Sequence, residues 1–227
     1  KTIHRNGNWQ KAKNAVIKIM EKDNLRLHLD LLAGLPEETM ESFEHAFNEV
    51  HNLLPHYLQL GFLKVLPGSL LAAETGKLGV VSSPYPPYRV LYTANLSPHD
   101  LFTLQRIEEG LDEFYNTGRF RQTLYFAGLY WSGGAMSFYH ALGNIKKSYG
   151  EDGLSLKTKA EILWNLLSGL TQKELFYDLL LLDWCIYGKG EAVPGIFKDN
   201  IEYTKGKYKE LILNLKHKIE FIPGGKV

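Results

Sequence analysis

The sequence predicts an α/β fragment that is mainly α: two parallel β-strands with their helices, followed by an all-α bundle. Residues 25–33 form an apolar run that turns sharply at Gly34 and continues into an acidic helix start at Glu37. A strand, a tight glycine turn and a helix are how a parallel βαβ unit begins. A second apolar run at residues 57–66 supplies the next strand, and the spacing after residue 95 is helical.

The first strand carries its polar residues on one face. His28, Asp30 and Leu32 alternate with a second face that includes Leu29. Both faces are apolar enough to predict a strand that is covered on each side. In a barrel the face with His28 and Asp30 points to the lumen, and active sites lie where the strands end. Asp30, Leu32 and Gly34 are therefore the first candidates for function.

Helices are expected on both sides of these strands in the chain. Apolar residues recur at helical spacing over residues 9–22 and 39–54, and Pro55 ends the second helix. Alternation of helix and strand with short connections is typical of half a parallel sheet, with a right-handed crossover. A further short helix is expected over residues 70–77.

A proline-rich segment separates the strands from the helical region. Residues 84–88 hold three prolines, which exclude a central strand and favour an extended or turned path. We therefore divide the chain into residues 1–80, the proline-rich linker 81–95 and the helical domain 96–227. The aromatic and proline side chains of the linker would either cap the mouth of a barrel or pack as a connection.

The helical region opens with a strong capping signal. Ser97 is suited to the N-cap, Pro98 to the first helical position and Asp100 to the first turn. Thr171 and Glu174 have the spacing of a second capping box. Helices are expected over residues 98–115, 120–131, 135–149, 156–167, 172–187 and 208–221, which predicts a small bundle.

Composition excludes several classes of function. The net charge of +1 gives no electrostatic basis for binding nucleic acid or an anionic membrane. Cys185 is the only cysteine, so these residues build no disulfide framework and no cysteine-ligated iron–sulfur site. The histidines show no HxxxH spacing, and no metal site is expected. The polar opening residues and short apolar runs predict neither a signal peptide nor a membrane span, and we expect a cytoplasmic location.

A family resemblance centres on residues 30–39, which read Asp-Leu-Leu-Ala-Gly-Leu-Pro-Glu-Glu-Thr. They resemble the Asp-Leu-Ile-x-Gly-Leu-Pro-Gly-Glu-Thr motif at a late barrel strand of radical S-adenosylmethionine enzymes. Residues 59–69 are similar to the next strand of those enzymes, and residues 3–12 to the helix before. The likeness covers nearly the whole chain and is to the C-terminal part of cobalamin-binding-type members, relatives of the anaerobic Mg-protoporphyrin IX monomethyl ester oxidative cyclase. Glu37 stands where the family usually has glycine, and the three-cysteine cluster motif is absent.

The resemblance implies a truncated TIM-type barrel piece, the late part of a radical SAM partial barrel. The parent enzyme would use an iron–sulfur cluster to cleave S-adenosylmethionine, with cobalamin in an N-terminal domain, for methyl transfer or oxidative cyclisation. Leu32 and Gly34 would lie against the adenosine, although a core strand and a tight turn also explain them. No cofactor, metal ligand or catalytic residue is expected in the chain itself, which would be inactive alone. The candidates for substrate contact are His28, Asp30, Gln59 and Lys64.

Partners follow from the small number of strands. Two parallel strands do not make a stable sheet by themselves. We expect the missing N-terminal part of the same protein to supply the neighbouring strands. The second expected partner is a small-molecule substrate of unknown identity. The isolated chain would instead form a homodimer or exchange strands at its open edge. An alternative function is non-catalytic, with residues 96–227 as a docking or lid module for a partner protein.

Overall fold

The computed structural model describes residues 8–22 and 25–200. This part is mainly helical and contains one parallel and one antiparallel pair of short strands, so the predicted fold class is confirmed. The strands of the described residues do not close a barrel. The helix expected over residues 208–221 lies outside the described residues. The elements are α1 Trp9–Lys22, β1 His28–Ala33, α2 Met40–His51, β2 Tyr57–Phe62, α3 Leu70–Leu78, β3 Val81–Ser82, β4 Val90–Tyr92, α4 Pro98–Gly110, a π-helical turn Leu111–Tyr115, α5 Arg121–Tyr130, α6 Gly134–Ser148, α7 Leu156–Leu167, α8 Lys173–Tyr187 and a 3₁₀ turn Gly195–Asn200.

The strands β1 and β2 are parallel, with α2 between them in the chain, as the βαβ pattern predicts. Asp30 lies beside Gln59 in the register. The ladder is shorter than the apolar run: β1 begins at His28, and the backbone contact that precedes it joins the carbonyl of Leu27 to the N–H of Tyr57 at 3.1 Å. Backbone pairing between the two segments therefore begins at Leu27 and not at the start of the apolar run.

Capping chemistry sets the start of α4 as expected. The Ser97 hydroxyl accepts from the backbone N–H of Asp100 at 3.2 Å, and the Asp100 carboxylate accepts from the backbone N–H of Ser97 at 2.8 Å. The capping box expected at Thr171 is wrong, because α8 begins later, at Lys173. The N–H of Lys173 donates to the Leu170 carbonyl at 3.1 Å, which holds residue 171 in a turn before the helix.

Strands and helices share one continuous core. Buried side chains from β1 and β2 form one cluster with those of the helices from α4 to α8. The closest helix crossing joins α4 and α6, where a Cβ on Gly143 would lie 1.7 Å from the Arg106 carbonyl oxygen. The helical region therefore packs directly against the strands. The proposed domain boundaries remain predictions.

The proline-rich segment is more ordered than a free linker. It carries β3 and β4, which pair antiparallel on either side of the prolines. The N–H of Val90 donates to the Leu63 carbonyl, and the N–H of Val65 donates to the Tyr88 carbonyl, both at 2.9 Å. Sequence reasoning missed these strands because each has only two or three residues.

Candidate functional site

One face of the β1–β2 pair is left exposed by the described elements, and we call it the open face. The side chains of His28 and Asp30 on this face are 51% and 72% exposed. On the opposite face, Leu58 and Leu60 are buried against the helices. The expectation that β1 is covered on both faces is therefore wrong for the described residues, since their helices cover only one side. The open face is formed by His28, Asp30, Leu32, Tyr57, Gln59 and Gly61.

The polar residues of the open face contact one another. His28 Nε2 lies 2.9 Å from Asp30 Oδ1, so the carboxylate orients the imidazole. The rings of His28 and Tyr57 meet edge to face, with centroids 4.5 Å apart. Partial burial, then the negative charges of Asp112 and Asp30, raise the pKa of the Tyr57 hydroxyl. The face thus presents an imidazole, a carboxylate, a phenol and the Gln59 amide side by side, groups that can bind a polar substrate.

The backbone conformation, the surroundings and the N–H of Gly34 are all determined by the turn at the carboxyl end of β1. It has a φ of +88°, and a Cβ there would lie 2.5 Å from Val90 Cγ1. Its N–H and that of Leu35 donate to the same oxygen of Glu38, at 2.8 and 3.3 Å. Burial raises the pKa of Glu38, and the two hydrogen bonds partly offset the rise. Leu32, the other predicted adenosine contact, lies on the open face and is 42% exposed.

Lys64 lies beyond the end of β2 and is exposed. Its backbone forms an antiparallel bridge with Arg89. The Arg89 guanidinium stacks over the Phe62 ring, 3.5 Å from the centroid, and burial lowers its pKa. Lys64 therefore follows the strand and does not belong to the open face.

Sequence reasoning missed Tyr57 and Glu38. The pairing of Asp30 with Gln59 contains enough information to find Tyr57, because residues two apart on a strand share a face and His28 stands beside Tyr57. The contact of Glu38 with the turn has no signal in strand periodicity, since it depends on a φ of +67° at Glu37.

The helical region holds β2 by several polar contacts. The Asn116 side chain accepts from the Leu58 N–H and donates to the Leu58 carbonyl, both at 3.0 Å. The Tyr115 hydroxyl donates to the Pro55 carbonyl at 2.5 Å, and Arg121 donates to the same oxygen at 3.2 Å. These bonds fix the entry and the first residues of β2.

Two of the buried ionisable groups, His51 and Asp183, have strongly shifted pKa values. His51 is fully buried at the end of α2, with Nε2 3.3 Å from the Tyr139 hydroxyl. Burial, and then the charge of Arg121, lower its pKa to about 4, so the ring is neutral at pH 7. Gly128 leaves room for the imidazole, since a Cβ there would lie 2.8 Å from His51 Cε1.

Asp183 on α8 caps α5 from outside that helix. Its carboxylate accepts from the Thr123 N–H at 2.9 Å, the Thr123 hydroxyl at 2.8 Å and the Gln122 N–H at 3.4 Å. The residue is 1% exposed, and burial raises its pKa to about 7 against the opposing effect of these bonds. Phe120 has no side-chain cap to offer, so Asp183 satisfies the first turn.

The described residues do not fit a metal cluster. They contain no grouping of three or more histidine, cysteine or acidic side chains. Cys185 is half-buried in α8, and burial raises the pKa of its thiol, which disfavours the thiolate that binds metals. Among residues 8–22 and 25–200, each helix is too short or too polar to cross a lipid bilayer.

The arrangement defines a small α/β unit whose sheet is backed by a helical bundle on one side. The chain belongs to the family described as "Protein of unknown function (DUF4080)", which matches residues 76–226. The match begins near the end of α3 and covers the whole helical region. No curated protein and no solved structure matches the chain.

Proposed function

We propose that this chain forms the late strands and helical extension of a radical S-adenosylmethionine enzyme, with the open face as part of its substrate chamber. The observation that carries the proposal is the placement of His28, Asp30 and Gln59. Three of the four candidate substrate contacts, chosen from strand periodicity and from the resemblance at residues 30–39, lie side by side on one exposed face.

The strand geometry supports a chamber wall. Parallel strands with covering helices on one side are the building units of α/β barrels, whose other face lines the interior. Here the helices cover one face of β1 and β2, and the polar residues occupy the other. The Gly34 turn and Leu32 stand at the carboxyl ends of the strands, where barrel enzymes bind their ligands.

The cofactors of such an enzyme would bind other parts of the protein. The described residues do not fit an iron–sulfur cluster. By the resemblance at residues 30–39, the cluster and cobalamin would belong to an N-terminal part of the parent protein. The cofactors would supply the radical and methyl chemistry. The residues of this chain would orient the substrate through Asp30 and Gln59 and offer Leu32 as an apolar contact for adenosine.

The helical region supports this function as a brace for the wall. Asn116, Tyr115 and Arg121 all bind β2 or the turn before it. Because these contacts fix the backbone beside Tyr57 and Gln59, they would hold the open face in place.

The decisive experiment uses the protein expressed from its complete reading frame and reconstituted with iron and sulfide. We expect it to form 5′-deoxyadenosine from S-adenosylmethionine under reducing conditions. Asp30→Ala and Gln59→Ala should lower that rate, because each removes a polar group from the chamber wall. Asp152→Ala, in an exposed loop of the helical region, is the matched control and should retain the rate.

Two results would count against the proposal. Absence of 5′-deoxyadenosine from a protein that holds its cluster would remove the enzyme class. Full turnover in both Asp30→Ala and Gln59→Ala would remove the open face as the chamber wall. Circular dichroism of each variant separates loss of function from loss of fold, and the exposure of Asp30 predicts that its variant folds normally.

A further inference from the structure

The β2 edge of the parallel sheet is closed by the chain itself. The Asn116 amide makes two hydrogen bonds with Leu58, one to each of its backbone polar groups, as a neighbouring strand would. Asp112 holds this amide in place by accepting from its Nδ2 at 2.8 Å. Beyond the strand, the Leu63 carbonyl is bound by the N–H of Val90. A further strand would find the backbone at these positions already occupied.

The β1 edge is open among the residues that the structure describes. The carbonyls of Leu27 and Ala33 accept from backbone N–H groups of the β2 chain at 3.1 and 2.9 Å. Odd-numbered residues of β1 therefore direct their backbone groups to β2. The backbone N–H and carbonyl groups of His28, Asp30 and Leu32 point the other way. Such a row of unpaired groups is a template for another strand.

The layer beside this edge is incompletely packed. A cleft of about 330 Å³ lies between α1, β1 and α2, with Trp9, Leu31 and Val50 in its lining. Trp9 is 40% exposed, and Val16 is the one buried residue of α1. Leu25, just before β1, is 60% exposed. A partner at the β1 edge would cover apolar surface as well as pair backbone groups.

We propose that a second copy of this chain pairs with β1 in an antiparallel arrangement centred on Leu29. A two-fold dimer uses the same edge on both copies, which makes the two β1 strands antiparallel. Centred on Leu29, the pairing sets His28 of each copy opposite Asp30 of the other. Both residues direct their backbone groups outward, so each such pair exchanges two hydrogen bonds. The product is a continuous four-stranded sheet.

The polar side chains favour this register over those centred on Asp30 and Leu31. A pairing centred on Asp30 places two aspartates directly opposite each other, which is destabilising. A pairing centred on Leu31 places Asp30 opposite Leu32 and His28 opposite Gly34, so neither side chain gains a polar partner. Of the pairings centred on Leu29, Asp30 and Leu31, only the one centred on Leu29 sets the imidazole of each copy opposite the Asp30 carboxylate of the other, and by symmetry it does so twice.

The dimer does not depend on the proposed enzyme function. In a longer polypeptide that supplies a further strand beside β1, that strand and a second copy compete for the same edge. The test therefore uses the 227-residue chain itself. A monomer would overturn the dimer without touching the enzyme class, and absence of 5′-deoxyadenosine would overturn the enzyme class without touching the dimer.

Light scattering after size-exclusion chromatography gives the mass over a concentration series. We expect twice the 25.9 kDa of one chain at high concentration. Asp30→Lys should shift the dimer toward monomer, because it sets a lysine opposite His28. A mass of one chain throughout the series overturns the proposal, and an unchanged dimer in Asp30→Lys overturns the register.

Cysteine cross-linking tests the register directly, in a Cys185→Ser background. The two Leu29 positions form a non-hydrogen-bonded pair with Cα atoms about 4.5 Å apart, which suits a disulfide. Leu29→Cys should therefore cross-link on oxidation. Leu31→Cys is the matched control, because its two copies would stand four residues apart along the strands, roughly 13 Å. Equal cross-linking of both variants, or none at Leu29→Cys in a dimer, overturns the proposal.

Discussion

Replacing Asp183 with asparagine should change how stability depends on pH. The asparagine side-chain oxygen can still accept from the Thr123 N–H and hydroxyl, so the cap of α5 is retained. What the variant removes is a buried group that ionises. The predicted quantity is how the difference in unfolding free energy between variant and wild type changes with pH. A destabilisation by the amide that is the same at every pH does not affect this quantity.

The magnitude follows from the two pKa values of Asp183. Burial raises the pKa to about 7 in the native state, against 3.8 for an ordinary aspartate. At about 1.4 kcal/mol for each pH unit, the gap corresponds to roughly 4 kcal/mol. Between these values the unfolded chain has released the proton that the native chain still holds. The contribution of Asp183 to the free energy of unfolding therefore falls as pH rises from about 4 to about 7.

His51 acts in the opposite direction over nearly the same range. Its pKa is lowered from 6.5 to about 4, so in this range the unfolded chain binds a proton that the native chain does not. Its contribution to the free energy of unfolding rises by roughly 3 kcal/mol between about pH 4 and pH 6.5. The two groups nearly cancel in the wild-type chain. Asp183→Asn would remove the part of this compensation that comes from Asp183.

Urea unfolding followed by circular dichroism at a series of pH values measures the difference. We expect the variant to gain roughly 4 kcal/mol relative to the wild type between about pH 4 and pH 8. Asp152→Asn, on an exposed loop, should show no such trend. A stability difference for Asp183→Asn that is the same at every pH would mean that Asp183 is ionised throughout in the native protein, and the reasoning would fail.

Two glycines give predictions from steric contacts. Gly143→Ala should lower the free energy of unfolding by at least about 3 kcal/mol in urea titrations, because its Cβ would lie 1.7 Å from the Arg106 carbonyl oxygen. Gly169→Ala, with no atom within 4 Å of its Cβ, is the control and should be near neutral. Gly34→Ala should lower the melting temperature, because its φ is positive and its Cβ would lie 2.5 Å from Val90 Cγ1. The same substitution should cost less in a Val90→Ala background, where that contact is removed. If the two substitutions lower the melting temperature additively, the contact does not matter and the prediction fails.

Local sequence signals predicted much of the fold. The Gly34 turn and the two apolar runs gave the parallel pair, and Ser97 with Asp100 gave the start of α4. These signals are local, because each depends on residues within one turn or one strand of each other. The α4 helix was expected to continue to residue 115, but its last turn widens into a π-helical turn that aims Asn116 at β2. That change depends on a contact with a distant strand.

The candidate site was predicted in part for the same reason. Strand periodicity placed His28 and Asp30 together, and the parallel register brought Gln59 beside them. Periodicity did not predict that Lys64 falls outside the open face, because it follows the end of β2 and pairs with Arg89 from the proline-rich segment. Lys64 and Arg89 are 25 residues apart, and such a pairing does not change the apolar periodicity of either segment.

The largest disagreement concerns the cover over β1, and it supports the proposed chamber. A strand with one exposed face normally alternates apolar and polar residues, whereas Leu32 and Tyr57 stand on the open face at 42% and 37% exposure. Covering these apolar surfaces would stabilise the sheet. The opposite face of the pair is buried in the helical core, so the cover of the open face would come from elsewhere. A bound substrate and further strands would bury Leu32 and Tyr57 together and remove their apolar surface from water.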